Sequence, residues 1–316
     1  MIAVAPSQPP LEPWQAATAP ANPTQLARPA FLMNAPFSYA PESTAGADEA
    51  PRPRKAFAQF FDLYNFVASE ALVTLLPTPS ATGLPELVFT ANLGVVLEHH
   101  ANRNTAVISN YTTVSRRAET VIGVDFLRAM GYDTHVPETH FEGEADLKHL
   151  HGNVYVGGYG QRSEVDTYDW MERTFDMKVV RLAMTDPGLP HLERTVFPLT
   201  KEKTLVCTEL YQRAELVELE RHTEIIDVSV EDCRAGACGS VRLHNVLLNS
   251  SHIHDLRAGT EEYHREVVKN RRIEDIASSV AFEVNYVNLS EYRRGGALLS
   301  GMLLHLNRFS YAFQLL

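Results

Sequence analysis

The sequence predicts an α/β fold, and three observations lead to that prediction. Short β-branched and apolar segments alternate with amphipathic helical segments over most of the chain. No linker interrupts residues 55–316, which indicates one domain of repeated β-β-α-β units. The length of 316 residues is sufficient for one large α/β domain with a sizeable core.

The first 29 residues differ from the rest in composition. They are rich in Ala, Pro, Gln and Thr, carry almost no charge and show no periodicity. Such a segment cannot bury enough apolar surface to offset its chain entropy. We therefore expect residues 1–29 to be a disordered or loosely attached tail and residues 30–316 to form a single domain.

The first elements follow from apolar spacing. Residues 30–33, Ala-Phe-Leu-Met, open the fold as a strand, and a loop rich in Pro, Ala and Glu covers about 40–54. Apolar residues recur at spacings of three and four over 55–76, which predicts a helix with one buried face. Gly131 ends a further helix at 118–130, in the position of a C-cap glycine.

The rest of the chain continues the same alternation. Strands are expected at 87–90, 105–108, 134–136, 153–156, 178–182, 195–198, 204–208, 224–230 and 246–249. Helices are expected at about 164–174, 209–221 and 259–269. This order is what repeated β-β-α-β units produce.

Composition excludes several kinds of partner. The formal charge of −11 argues against nucleic acid or an anionic membrane, because both favour clustered Lys and Arg. No apolar run approaches the roughly 20 residues that span a bilayer. The N-terminus lacks the basic and apolar regions of a secretory signal, so we expect a cytoplasmic protein.

The three cysteines are sparse and odd in number, which suits a reducing compartment. Cys233 and Cys238 do not have zinc-ligand spacing. Cys207 lies in the apolar segment Thr-Leu-Val-Cys-Thr and is expected to be buried in a strand. None of the three is predicted to be a nucleophile.

Polar clusters interrupt the alternation, and each follows a predicted strand, where α/β folds usually place their sites. They occupy residues 86–94, 140–146, 157–163 and 190–195. Singly, each has a structural interpretation as a solvated loop, a glycine turn or a satisfied histidine. A further stretch, 291–300, runs through Gly295 and Gly296 to Ser300. Adjacent glycines allow positive φ and close approach of a ligand to the backbone.

Taken together and in this order, the clusters resemble the guanidino-group-modifying superfamily. Its members include arginine deiminase, dimethylarginine dimethylaminohydrolase, glycine amidinotransferase and the arginine dihydrolases. The resemblance extends from about Phe31 to Ser300 and is nearest to the arginine-dihydrolase-like and dimethylargininase-like branches. The matching motifs are a first strand at 31–33, Phe-Thr-Ala-Asn at 89–92, Phe-Glu-Gly…Asp at 141–146, Gly-Tyr-Gly-x-Arg at 158–162, His-Leu-Glu at 191–193, and Ser-Glu-Tyr with Gly-Gly at 290–296.

The resemblance implies a pentein fold, an α/β-propeller of five ββαβ-type repeats around a pseudo-fivefold axis with the site in the central channel. It also implies hydrolysis of a C–N bond in a linear amidine, arginine or a related guanidino compound, without a metal or other cofactor. A guanidinium is planar, permanently charged and presents five donors, so carboxylates are its natural partners.

The resemblance assigns roles to individual residues. His191 would be the general acid and base, held by a carboxylate such as Glu142. The predicted substrate-binding residues are Asn92, Glu144, Asp146, Glu193, Arg116, Arg162, Gly295 and Gly296. Amide and carboxylate groups would bind the guanidinium, and the two arginines the α-carboxylate. Which acidic residue of 142–146 points inward stays open, because this loop is one residue longer than the short form of the motif.

Ser300 stands where the family has its nucleophilic cysteine. A thiol ionises readily beside a bound cation, whereas a serine hydroxyl is far more basic. Three interpretations follow: a serine introduced to trap substrate, a natural pseudoenzyme that binds a ligand, or a nucleophile activated by His191. Glu193 in place of the usual Asp and Ala145 in place of Gly are further departures from the family pattern.

A hydrolase of a small guanidino substrate is the leading hypothesis, and a homo-oligomer is possible. The alternatives are an amidinotransferase, which differs in whether water is excluded from the channel, and a non-catalytic protein that binds a guanidino ligand. The last alternative is a pentein that serves only as a scaffold for protein contacts.

Overall fold

A computed structural model describes residues 22–39, 52–79, 83–100 and 102–312. Within these residues, fifteen strands form five sheets of three strands each. The predicted tail over 1–21 and most of the predicted loop at 40–54 lie outside the described residues. No helix of the described part is long and apolar enough to cross a bilayer.

The strands are β1 (Ala30–Asn34), β2 (Leu72–Leu76), β3 (Gly94–Val96), β4 (Thr105–Ile108), β5 (Asp133–His135), β6 (Leu147–His151), β7 (Val154–Tyr159), β8 (Lys178–Ala183), β9 (Val196–Pro198), β10 (Lys203–Val206), β11 (Glu224–Asp227), β12 (Val241–Leu243), β13 (Val246–Ser250), β14 (Glu283–Val287) and β15 (Leu304–His305). The helices are α1 (Pro53–Glu70), α2 (Arg117–Ala129), α3 (Val165–Phe175), α4 (Arg213–Glu220), α5 (Val230–Ala235), α6 (Glu261–Ser278), α7 (Ser290–Arg294) and α8 (Phe309–Ala312).

Every sheet repeats one pattern. Its central strand runs antiparallel to one neighbour and parallel to the other. A parallel pair needs a crossover connection, and α1, α2, α3, α4 and α6 lie in these connections. The five sheets therefore confirm the predicted fold of five ββαβ-type units.

The first unit is completed from the far end of the chain. The C-terminal strand β15 pairs antiparallel with β1, with Phe31 opposite His305 and Leu32 opposite Leu304. The sheet order β15-β1-β2 thus joins the two ends of the described chain. Closure by β15 fixes the position of the segment just before it, which contains Ser300.

The hydrophobic core also packs against the segment that contains Ser300. The buried face of α1 includes Phe60 and Leu63, which share one hydrophobic cluster with Tyr292 and Leu299. The Tyr292 hydroxyl donates a hydrogen bond of 2.8 Å to the Ala56 carbonyl. Burying apolar area of this kind contributes about 25 cal/mol per Å².

Two element predictions are wrong. The predicted helix over 55–76 ends at Glu70, and the β-branched run that follows is β2, paired parallel with β1. The predicted strand at 87–90 is instead a turn that leads into the 3₁₀ turn Thr90–Leu93. In the first case pairing with β1 decides the conformation of a short apolar run.

The predicted boundary of the N-terminal tail at residue 29 also changes. Thr24 lies in a 3₁₀ turn and is buried, and its hydroxyl donates a 2.6 Å hydrogen bond to the Leu306 carbonyl. The Asn307 side chain donates to the carbonyls of Pro23 and Arg28 at 2.9 and 2.8 Å. Residues 22–29, assigned to the tail by composition, are therefore attached to the C-terminal segment.

Candidate functional site

Four of the units begin with a short 3₁₀ turn just before the first strand of the sheet. Thr90–Leu93 precedes β3, Gly143–Ala145 precedes β6, Leu192–Arg194 precedes β9 and Ser300–Met302 precedes β15. The first of these turns contacts the second and the fourth, and the second contacts the third. Equivalent positions in the repeat thus bring together polar residues that are far apart in sequence. Three of the predicted polar clusters therefore lead into the first strand of a sheet, whereas the sequence analysis associated them with the strand before.

A cavity of about 340 Å³ lies among these turns. The predicted site residues that line it are Asn92, Arg116, Arg162, His191, Glu193, Gly295 and Gly296. Ser300 is not one of these lining residues, but its hydroxyl is hydrogen-bonded to Glu193, which is. Glu142 and Asp146 lie beside His191. Most of the predicted site is therefore one continuous group.

His191 lies between two carboxylates. Its Nδ1 is 3.1 Å from Asp146 Oδ1, and its Nε2 is 3.6 Å from Glu142 Oε2. Burial of the imidazole acts to lower the pKa of His191, but the charges of Asp146, Glu142 and Glu193 outweigh it and raise the pKa above its ordinary value. An imidazole held in this way can carry a proton to and from a ligand in the cavity.

The carboxylates beside His191 are themselves held by hydrogen bonds. Asp146 accepts from the Ser163 hydroxyl at 2.7 Å and from the Leu192 amide at 3.2 Å. Glu142 accepts from the Thr112 hydroxyl at 2.7 Å. These bonds fix both carboxylates, so the orientation of the imidazole is set by the fold. We refer to His191, Asp146 and Glu142 as the His191 side of the cavity.

The opposite group consists of Ser300, Glu193 and Lys148, here called the Ser300 side. The buried Ser300 hydroxyl donates a 2.9 Å hydrogen bond to Glu193 Oε2. Lys148 Nζ lies 4.0 Å from the same oxygen. The hydrogen-bond partner of the hydroxyl is therefore Glu193, whereas the sequence suggested activation by His191.

Asn92 supplies a polar group without a partner. It is buried and lines the cavity. Its Nδ2 atom has no hydrogen-bond partner among the described residues. A buried amide left unsatisfied is costly, so this side chain is available to a ligand in the cavity.

The two arginines predicted to bind a carboxylate differ in what surrounds them. Arg116 is buried, and its Nη2 donates to Glu119 at 2.8 Å while its Nε lies 3.3 Å from Glu86. Much of its guanidinium is therefore already occupied. Arg162 is about one-third exposed, donates to the Thr113 hydroxyl at 2.9 Å and lies 3.9 Å from Glu142.

Glu144 does not face the cavity, and its assignment to the substrate is wrong. One oxygen accepts from the His305 amide at 2.9 Å and the other from Arg308 Nη2 at 2.6 Å. Burial acts to raise the pKa of Glu144, but the charges of His305 and Arg308 hold it well below its ordinary value. Glu144 therefore secures the C-terminal segment that closes the ring.

Two glycines set the backbone around the cavity. Gly143 separates Glu142 from Glu144 and has φ of +64°, and a Cβ there would lie 2.5 Å from the Ala91 carbonyl. Gly296 has φ of +80°, and its carbonyl accepts a hydrogen bond from Arg194 Nη1. Only glycine adopts such angles without strain.

Sequence reasoning missed several participants. Glu86 and Arg194 line the cavity, and both adjoin motifs that were recognised. Ser163 and Thr112 hold the carboxylates beside His191 and could be suspected only from their nearness to such motifs. Lys148 gave no signal, because it reads as an ordinary strand residue.

The cysteines lie elsewhere. Cys207, Cys233 and Cys238 are buried and belong to one apolar cluster with residues of β10 and β13. Cys207 is buried as predicted, but it follows β10, which ends at Val206, and does not lie in the strand. Among the described residues, no cluster of three or more His, Cys, Asp or Glu side chains is arranged to hold a metal ion.

No family model matches the chain. It is 28% identical over 200 residues to the bifunctional arginine dihydrolase/ornithine cyclodeaminase AgrE of Nostoc sp., which covers 61% of this chain and 28% of AgrE. It is 24% identical over 248 residues to the corresponding enzyme ArgZ of Synechocystis sp., which covers 77% of this chain and 32% of ArgZ. The chain thus spans less than a third of the length of these curated relatives.

Solved structures share the fold. The N-terminal domain of ArgZ, a cysteine-to-serine mutant bound to substrate, superposes with a TM-score of 0.75 at 22% identity and covers 89% of this chain and 98% of that domain. A dimethylarginine dimethylaminohydrolase superposes with a TM-score of 0.65 at 18% identity and covers 87% of this chain and 98% of that enzyme. The comparisons support the resemblance: the chain has the pentein fold of these structures and is similar in sequence to arginine dihydrolases.

Proposed function

We propose that this protein binds a guanidino amino acid and hydrolyses one C–N bond of its guanidinium. The observation that carries the proposal is the arrangement of His191 between Asp146 and Glu142 on one side of a cavity that Glu193 and Asn92 also line. A planar cation fits between acceptors of this kind, next to a group that can transfer protons. Similarity to arginine dihydrolases supports arginine or a related compound as the ligand.

The proposed reaction uses residues from both sides of the cavity. Ser300 Oγ would form a bond to the guanidinium carbon as its proton passes to Glu193. His191, in its protonated form, which the neighbouring carboxylates favour, would then give its proton to the leaving nitrogen as the C–N bond breaks. Water would attack the same carbon and give a proton to His191. The bond from the carbon to Ser300 Oγ would then break as Glu193 returns its proton to Oγ. The protonated ureido group left behind would give its extra proton to the released amine.

The weak step is the attack by Ser300. A serine hydroxyl ionises far less readily than a thiol, and a guanidinium is a poor electrophile. The hydrogen bond to Glu193 gives the hydroxyl a proton acceptor, but it does not make serine as good a nucleophile as a thiol. We therefore expect slow turnover by the unsubstituted protein.

The Ser300→Cys variant tests the proposal. With L-arginine and methylated arginines as substrates, we expect this variant to release ammonia or amine at least about a hundredfold faster than the unsubstituted protein, because a thiol is the better nucleophile. A Ser300→Ala variant serves as the matched control and should show no turnover. If Ser300→Cys converts no guanidino compound to an ureido product, the hydrolase function is excluded.

A binding protein without turnover is the second candidate, and the Ser300 side favours it. The buried Ser300 hydroxyl is hydrogen-bonded to Glu193, and Lys148 lies 4.0 Å from the same carboxylate oxygen, so the hydroxyl is already engaged. Calorimetry with the unsubstituted protein and with Ser300→Cys separates the two candidates. Tight binding of L-arginine by both proteins, with no product from either, would identify a ligand sensor.

A further inference from the structure

Lys148 occupies an unusual place for a lysine. It is the second residue of β6, and only 6% of its surface is exposed. Lysine is almost never buried without a partner. Among the described residues, the only carboxylate within 4.0 Å of its ammonium group is that of Glu193.

The contact falls on one particular oxygen. Glu193 Oε2 accepts the hydrogen bond from Ser300 and is also the atom nearest to Lys148 Nζ, at 2.9 and 4.0 Å. Glu144, four residues before Lys148, is already engaged by Arg308 and by the His305 amide. Glu193 is therefore the carboxylate nearest to the Lys148 ammonium group, which also acts on Glu144 from a longer distance.

We propose that Lys148 is a positioning residue that keeps Glu193 turned toward Ser300 and lowers the affinity of the site for a cationic group. The inference rests on the proposed function, in which Glu193 binds the guanidinium. A guanidinium at Glu193 would be a second cation near a carboxylate that Lys148 Nζ already approaches to 4.0 Å. Like charges a few Å apart repel strongly where water is largely excluded.

The proposed role of Lys148 predicts how strongly the site distinguishes a cationic ligand from a neutral one. A neutral ureido group has nearly the shape of a guanidinium but no charge, so Lys148 does not oppose it. The ratio of the affinity for the cationic ligand to that for the neutral ligand should therefore be smaller in the unsubstituted protein than in a variant without the lysine. This difference in affinity between two ligands of similar shape is a property that a purely structural role of Lys148 would not affect.

Calorimetric titration of the unsubstituted protein and of Lys148→Gln with L-arginine and with L-citrulline tests the inference. Removing the charge should lower the Kd for L-arginine at least about tenfold, while the Kd for L-citrulline changes by less than about twofold. Glutamine retains a donor for Glu193, which limits the cost to folding. Lys148→Met is the second variant and should change the affinities in the same direction.

Lys178→Gln is the matched control. Lys178 begins β8, is half-exposed and pairs with Glu218 far from the cavity, so its loss should leave both affinities unchanged. Equal gains for both ligands, or a weaker affinity of Lys148→Gln for L-arginine, would overturn the inference while the proposed function stands. If L-arginine binds neither the unsubstituted protein nor any variant, the proposed function itself fails, and the inference with it.

Discussion

The two sides of the cavity are built from the same kind of turn but differ in chemistry. On the His191 side, two carboxylates held by hydrogen bonds flank an imidazole, which is the arrangement that proton transfer requires. On the Ser300 side, a hydroxyl and a lysine share one carboxylate oxygen. The proton transfer and the nucleophilic attack that we propose would therefore depend on different groups, and those proposed for proton transfer are held by more hydrogen bonds.

The largest effect is expected from His191→Asn in the Ser300→Cys background. Asparagine is polar and of similar size but cannot carry a proton between groups, so turnover should fall by about 10²–10⁴-fold. Binding of L-arginine should persist, because the carboxylates remain. The measurement is ammonia release at saturating L-arginine, with calorimetry as the control. Unchanged turnover would show that the His191 side is not the acid–base group.

Glu144→Gln should damage stability rather than the site. It leaves Arg308 buried without its carboxylate partner, and breaking such a pair costs about 3–5 kcal/mol. Chemical denaturation measures this loss, while affinity for L-arginine should be unchanged. The pKa of Glu144 is lower in the folded state than its ordinary value of 4.5. Its contribution to stability is therefore present above that pH and is lost on acidification.

The variant gives this pH dependence a direct check. Below about pH 4.5, the stability of the unsubstituted protein should fall more steeply than that of Glu144→Gln, because only the unsubstituted protein has the carboxyl to protonate. Parallel pH profiles for the two proteins, or a loss of ligand affinity in the variant, would contradict the assignment of Glu144 to ring closure.

Asp146→Asn should have a smaller effect. It keeps an acceptor for His191 Nδ1 but removes the nearest charge, so the pKa of His191 should fall. In the Ser300→Cys background we expect slower turnover, by less than the roughly 10²–10⁴-fold expected for His191→Asn, because the imidazole is still present to transfer protons. The limb of the pH–rate profile that reports the protonated imidazole should move to lower pH. An NMR titration of His191 gives the shift directly.

The same variant tests the stability that this pair contributes. The pKa of His191 is raised in the folded state, so its contribution is complete below the ordinary value of 6.5 and is lost as pH rises through the raised pKa. The decline in stability over that interval should be smaller in Asp146→Asn. If stability declines equally in the two proteins over that pH interval, a group other than His191 is responsible for the decline.

The order of motifs was sufficient to predict the repeated fold and half of the residues that line the cavity. Asn92, His191, Glu193 and the paired glycines were identified because their residue types and sequence order match a known arrangement. Short apolar runs were not predictable in the same way. The run that forms β2 continues the helical periodicity of α1, and only its pairing with β1 makes it a strand.

What the sequence by itself determined is the chemistry available: a histidine, several carboxylates and a serine in place of a thiol. Tertiary structure decided which carboxylate does what. Glu142 and Glu144 are two residues apart, yet the positive φ of Gly143 turns the chain so that one faces His191 and the other Arg308. Lys148 meets Glu193 only through packing across 45 residues of sequence (148 to 193), and no local pattern encodes such a contact.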